Sequence, residues 1–434
     1  MAHESPFPTV IPFRTLGALS GGMKALIGVL LLVGVVGVFL GATAYDAARL
    51  WQGILFNWLF WSSLAIGMVM FAVALHLTAA DWAWSIQRFA LAGVAFLPIS
   101  FVLLAVVFLG NETYFHHWLH VEGDPVIEGK RVWLTLTNMI ARDYAAITIL
   151  YGLAIYFAYL SVRPDVYGVS GERKRSIYDR LTRNWRGVEA EAAHSQKRRM
   201  YLGVIMGILF AFLWGLMGVD LAMTLDPHFF STMFPVTFFW ASFHGGVAAT
   251  GIAIALLGRK VGVAEFIKGQ QYHDLGKLIF AFSVFWMYVN WSQYIVIWYG
   301  MLPWEQPFFV DRFSDPYGGI TTAVVALVFV VPFFGLLTRP PKMIPAVLAF
   351  FGALILLGIW LERFLLTVPS IWEGENLPLG VPEIAIGLGF AGLFLASYLW
   401  FIRTFPMLPS PASLAARDPM IVTVPSATAT SQSH

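Results

Sequence analysis

Ionisable side chains are costly in an apolar chain, and where they fall in two layers they can carry protons. One layer holds Arg142 with Asp143, Asp220, Asp226 with His228, Glu362 with Arg363, and Glu383. The other holds His76, Asp81, His273, Asp274 and Lys277. His244 lies between them, with Ser63, Ser242 and Tyr288 as neutral bridges. An imidazole takes up and releases a proton near neutral pH, so two half-channels could meet at His244. A polar network that merely holds helices together uses the same residue types, and that alternative stays open. Quinol oxidation is a further option, since it needs an apolar slot, aromatic walls and a proton acceptor near one membrane surface. Asp220, Asp226 and His228, in GVDLAMTLDPHFFSTM, are the acceptors such a slot would use.

Metal chemistry has less to work with. Haem b takes two facing axial His inside the bilayer. Only His76 and His244 fall within apolar segments, at different depths, so no haem is expected in this chain. His116-His117-Trp118-Leu119-His120 has metal-like His spacing but no Cys or carboxylate motif, and reads as a solvated loop with no metal. The chain has no Cys, which excludes disulfides, c-type haem attachment and thiolate-held iron–sulfur or zinc sites. Any redox centre it serves must sit largely in another chain.

The elements that position these residues are transmembrane helices. The 434 residues are 58% hydrophobic and 12% charged, against about 25% charged for a soluble protein. The fold class is therefore an all-α integral membrane protein. Ten spanning segments are expected near 22–44, 53–77, 84–110, 138–161, 198–222, 233–258, 274–300, 318–338, 343–367 and 380–403. FWSSLAIG at 60–67 echoes FWASFHGG at 239–246. The echo suggests two four-helix bundles, segments 2–5 and 6–9, flanked by segments 1 and 10. The division is then an amino-terminal arm at 1–21, a first helix and outer loop at 22–52, and bundles at 53–222 and 223–367. A last helix at 368–405 and a disordered tail at 406–434 complete it. The first apolar run exceeds a secretory signal, so it reads as a retained helix despite the cleavage-like Ala42-Thr43-Ala44. The aromatic stretch Tyr272–Tyr299 reads as the one the other segments are arranged around.

Of the 27 Lys and Arg, only Arg49, Lys130, Arg131 and Arg312 fall on one side, with Arg142 and Arg363 inside segments. The positive-inside rule then puts both termini in the cytoplasm. The basic connection at 162–199, with GERKRSIYDRLTRNWRG, reads as an amphipathic helix resting on lipid headgroups. The outer loops, rich in Trp, Phe and Pro, suit interfacial anchoring or an external partner.

Two stretches, TLDPHFFSTMFPVTFF and YHDLGKLIFAFSVFWMYVNWSQYIVIWYGMLP, resemble the membrane subunits of alternative complex III, more narrowly its F type. These belong to the polysulfide-reductase membrane-subunit (NrfD-like) family. The motif match covers roughly Thr224 to Pro303, and the match in topology covers all ten segments. The resemblance implies a subunit of a bacterial quinol:cytochrome c or other electron-acceptor oxidoreductase in the inner membrane. It would not be catalytic alone. Its partners would be a related NrfD-like subunit of the C type, an iron–sulfur subunit and c-type cytochrome subunits. The last two kinds carry the clusters and haems. Quinol oxidation is favoured in the C-type relative, while the F type is associated with proton translocation and also with quinone binding. Members often carry paired acidic residues after the IWY motif; here Trp304-Glu305-Gln306 supplies one. Membrane lipids are the other expected partner, and nucleic acid is not. The expectation is thus a membrane subunit of alternative complex III with a proton path. The alternatives are a quinone-binding subunit of the same or a related oxidoreductase and a free-standing secondary transporter.

Overall fold

A computed structural model describes residues 8, 10–171 and 174–417, and no strand occurs among them. Ten long helices organise the chain. They are α1 (Gly21–Thr43), α2 (Ala47–Leu77), α3 (Gln87–Phe108), α4 (Leu136–Val166) and α5 (Val188–Leu225). After these come α6 (Phe234–Val261), α7 (Gly269–Gly300), α8 (Gly318–Gly335), α9 (Pro345–Thr367) and α10 (Val381–Thr404). Among the described residues nine are long and apolar enough to span a bilayer. The exception is α7, which has 32 residues and ample length; its Tyr, Asn, Ser and Gln lower its hydropathy.

Local chemistry sets the helix ends. Ser20 Oγ accepts from the Met23 amide at 3.2 Å, and Asp46 Oδ1 from the Ala48 amide at 2.8 Å. Proline opens α6, α9 and α10, where its missing N–H costs nothing. Inside α8 a π-helical turn at Ala326–Val330 directly precedes Pro332. A proline cannot donate to the preceding turn, and the widened turn absorbs that loss.

The centre of the molecule is not α7. Tyr288, Trp298 and Tyr299 are exposed by 63%, 55% and 75%, so much of its aromatic surface faces outward. The enclosed helix is α2, whose most apolar window is 89% buried. It crosses α6 where the two echoed sequences meet. A Cβ on Gly67 would lie 1.9 Å from the Ser242 carbonyl oxygen, and one on Gly246 would lie 2.1 Å from the Gly67 carbonyl carbon. Only paired glycines let two backbones come this close, and bulky rings like those of α7 cannot. A second small-residue seam joins α1 to α10, with Gly34 against Gly389.

An even number of crossings brings both chain ends to one face, called here the terminal face. The Leu16 amide donates to Ile402 O at 3.1 Å, and the Met407 amide to Arg14 O at 2.8 Å. Two sequence expectations change on this face. The chain after 405 does not leave the bundle: Met407, Leu408 and Leu414 are buried, and Pro411–Ala415 forms a short helix. Asp165 holds it there, accepting from the Ser410 amide at 2.9 Å and Ser413 Oγ at 2.6 Å while pairing with Arg88 at 2.6 Å. The rest of the expected disordered tail, 418–434, lies outside the described residues, as do Glu172 and Arg173. The basic connection is not one long amphipathic helix. It holds the short helix Ser176–Leu181, then a turn into α5.

Asp165→Asn keeps the shape but removes the charge shared by Arg88 and the tail. Hydrogen bonds to charged groups contribute about 1.5–3 kcal/mol each. The expected result is faster proteolytic release of the carboxy-terminal segment with the bundle intact; an unchanged cleavage rate would count against the clamp.

Candidate functional site

The face opposite the chain ends, the distal face, carries a cavity of about 430 Å³ between α6, α7, α8, α9 and the short helix Gln306–Phe313. Aromatic rings and aliphatic side chains make up most of its walls, and Trp291 and Phe313, each about half exposed, belong to its lining. One carboxylate reaches it. Glu362 Oε1 accepts from Trp286 Nε1 at 2.8 Å, while Oε2 is buried with no hydrogen-bond partner. Gln293, also lining the cavity, is nearly buried. Asn290 spends its amide N–H₂ on the Trp286 carbonyl at 2.9 Å.

Arg312 closes the distal end. It donates to Leu365 O, Phe308 O and Ser370 Oγ, each at 2.8 Å, and lies 3.3 Å over the Phe308 ring. Thr321 Oγ1 donates to the Arg312 carbonyl and ties the start of α8 to the same helix. Burial pulls the Arg312 guanidinium down to about 9, which still leaves it charged at neutral pH. In the sequence Arg312 counts only as one of the few basic residues on its side, and no local pattern marks it as a pocket residue.

Glu362 and Arg363 are adjacent on α9; Glu362 lines the cavity and Arg363 reaches α6, and their charged ends still form a buried ion pair. Arg363 is fully buried against α6, donating to Phe238 O at 2.9 Å and Ser242 Oγ at 3.1 Å. Its Nη1 is 3.8 Å from Glu362 Oε2. His244 is fully buried on α6, with Nε2 3.3 Å from Ser283 Oγ and Nδ1 without a partner. Ser283 and Trp286 lie three residues apart on α7, hence on one face. That face therefore contacts His244 at one turn and Glu362 at the next.

The remaining predicted residues lie elsewhere. Asp220 is fully buried, accepting from Arg142 Nε at 2.6 Å and Trp133 Nε1 at 2.9 Å. Asp143 is buried with neither oxygen hydrogen-bonded, and Asp220 and Arg142 are its charged neighbours. Glu383 pairs in bidentate fashion with Arg49 at 2.8 and 2.7 Å. Asp226 Oδ1 caps the amides of His228 and Phe229 at 3.1 and 3.3 Å. His228 Nε2 meets Asp124 Oδ2 at 2.8 Å and stacks on Trp304. Asp226 and His228 line a polar distal cleft of about 370 Å³ with His117. The structure thus does not gather Asp220, Asp226 and His228 into one apolar slot. Tyr288 is exposed rather than bridging, and Asp81 is exposed. His76 is buried edge-on to Phe157, with Nε2 unpartnered. His273, Asp274 and Lys277 cluster at the start of α7, with Lys277 2.7 Å from Asp274. No group of three or more metal-ligating side chains occurs among the described residues.

In the distal cleft, burial and the neighbouring His116 hold the His117 imidazole below the ordinary His range. A lowered folded value means the unfolded chain binds the proton more readily, so this contribution is present above about pH 6.5 and fades as pH falls. The expected result is a lower melting temperature at pH 5.5 than at pH 7.5, with the gap narrowed in His117→Gln. An undiminished gap in the variant would assign the effect to other groups.

The geometry gathers a buried carboxylate, with one oxygen hydrogen-bonded to Trp286 and the other ion-paired with Arg363, and a cavity partly walled by aromatic rings, with the helix face that holds Trp286 reaching a buried imidazole one turn away. Comparison with protein-family models gives no match, and comparison with curated proteins gives none.

Proposed function

We propose that this multi-pass membrane protein is a subunit of a bacterial quinol:electron-acceptor oxidoreductase of the alternative complex III kind. Its own share of the work is to hold a quinol headgroup in the Glu362 cavity. The observation that carries this is the Glu362 carboxylate, which lines a cavity rimmed by half-exposed rings, is oriented by Trp286 and keeps its second oxygen without a hydrogen bond. Oxidising a quinol to a quinone removes two protons and two electrons. Glu362 would accept one hydroxyl proton, the second would be released to water on the distal side, and the Gln293 amide would hydrogen-bond a ring oxygen. With no Cys in the chain, the electrons pass to the iron–sulfur and c-haem centres of partner subunits. The positive-inside rule supports a cytoplasmic terminal face in the inner membrane, with the cavity toward the periplasm.

A proton path through His244 is a second reading. It is favoured by α7, which touches Glu362 and His244 on one face and carries His273, Asp274 and Lys277 at its terminal-face end.

The test uses the full chain in detergent. A short-chain quinone analogue should quench Trp fluorescence saturably, and Val325→Phe, which narrows the cavity, should weaken binding about tenfold, the effect of roughly 1.4 kcal/mol. Non-saturable quenching would sink the quinol reading. Recovery from native membranes as a self-sufficient chain, with no multihaem c or iron–sulfur partner, would sink the complex.

A further inference from the structure

A separate cavity of about 450 Å³ opens on the terminal face where α4 ends and α5 begins. Four arginines, Arg163, Arg180, Arg183 and Arg186, line it against a single carboxylate, Glu191. Glu191 is committed to Arg163 at 3.0 Å and is almost fully buried. Among the described residues no carboxylate pairs with Arg180, Arg183 or Arg186. Arg163 also shapes the site. It donates to the carbonyls of Arg183 and Asn184 at 3.2 and 3.3 Å, and its buried Nε has no partner. Asn184 is left-handed, with φ 58°, a conformation Asn tolerates better than most residues. The turn it makes puts Arg183 and Arg186 on one cavity. Like charges are thus held together by backbone hydrogen bonds, with no counter-charge of their own.

Two apolar stripes run from this cavity into the membrane. On α4, Tyr156 lines the cavity and Ile149, two turns deeper on the same face, is 48% exposed. On α5, His194 lines the cavity and Tyr201, Ile205 and Ile208 follow on the same face, each at least half exposed.

We propose that this cavity binds the phosphate headgroup of an anionic phospholipid, whose acyl chains lie along the two stripes. Guanidiniums give phosphate oxygens paired, charge-assisted hydrogen bonds. A basic pocket between spanning helices at the headgroup level suits such lipids. The stripes separate this ligand from a soluble anion, which would have no use for them.

The test is native mass spectrometry of the full-length protein titrated with phosphatidylglycerol, phosphatidylcholine or inorganic phosphate. The variant Arg180→Gln/Arg183→Gln/Arg186→Gln should bind phosphatidylglycerol roughly tenfold to a hundredfold more weakly. Its phosphatidylcholine binding should stay as in the wild type. Glu191→Gln keeps the hydrogen bond to Arg163, removes the only negative charge of the lining, and should tighten phosphatidylglycerol binding several-fold. A damaged fold cannot produce that gain. Equal phosphatidylglycerol affinity in the triple variant and wild type overturns the proposal, as does a Glu191→Gln protein that gains nothing. Displacement of the lipid by millimolar phosphate overturns the lipid assignment in favour of a soluble anion.

Discussion

Gly246→Val should abolish accumulation of folded protein, while Gly245→Ala next to it should leave yield and melting temperature close to wild type. The two glycines face different neighbours. A Cβ at 246 meets backbone on α2, 2.1 Å from the Gly67 carbonyl carbon and 2.3 Å from the Met68 nitrogen. Backbone cannot rotate out of the way, so relief requires α2 and α6 to separate. Both are packed on other sides, and α2 is the most enclosed helix of the molecule. Overpacking of a core that can adjust costs about 1–3 kcal/mol. A clash with immovable backbone belongs with the changes above about 4 kcal/mol, comparable to the whole stability of many domains. A Cβ at 245 meets Ile359 Cδ1 at 3.4 Å, an ordinary contact with the end of a flexible chain. Size-exclusion profiles of tagged variants in detergent, followed by thermal melts, would read both. A monodisperse Gly246→Val protein melting like the wild type would show that the two backbones do not meet at this crossing. The same crossing places Ser242 and His244, so milder variants here should also disturb the Arg363 contacts.

On the proposed quinol-oxidising role, Glu362→Gln should lower quinol oxidation by the purified assembly by about 10²–10⁴-fold, the usual contribution of a positioned proton acceptor. Quinone binding should change little. The amide oxygen of Gln can still accept from Trp286 Nε1, so the cavity keeps its shape. What it loses is the ability to take a proton from the ring hydroxyl. Trp286→Phe keeps the carboxylate and removes only the 2.8 Å hydrogen bond that aims it, so its rate should fall less than that of Glu362→Gln. This ordering separates proton transfer from positioning. Full turnover in Glu362→Gln, with normal quinone binding, would remove Glu362 from the chemistry and leave the cavity without a catalytic role.

Much of this protein follows from its sequence, because a bilayer allows few choices. Long apolar runs had to become helices, since backbone polar groups in hydrocarbon need partners within the same segment. The run of long helices and the shared face of the two ends follow from that constraint, whereas the packing of the two echoed stretches on each other, read in sequence as a repeat in two separate bundles, does not. The identity of the carboxylates was legible too, since Glu362, Asp143 and Asp220 stand out in a chain that is 12% charged.

The rotation of each helix about its own axis was decided only in three dimensions. Glu362 lies 76 positions from Trp286 and Arg363 lies 121 positions from Ser242, and no local pattern links such distant residues. Adjacent residues on one helix point about 100° apart, which is why Glu362 faces a cavity and Arg363 a sealed core. The same geometry dispersed Asp220, Asp226 and His228, which look clustered in the sequence. Tyr272–Tyr299 looked central for its aromatic weight, but close packing rewards small surfaces at a crossing and sends large rings outward. The polar start of the tail, finally, is held down by Asp165, a residue 245 positions away from Ser410, and no reading of the tail itself contains that partner.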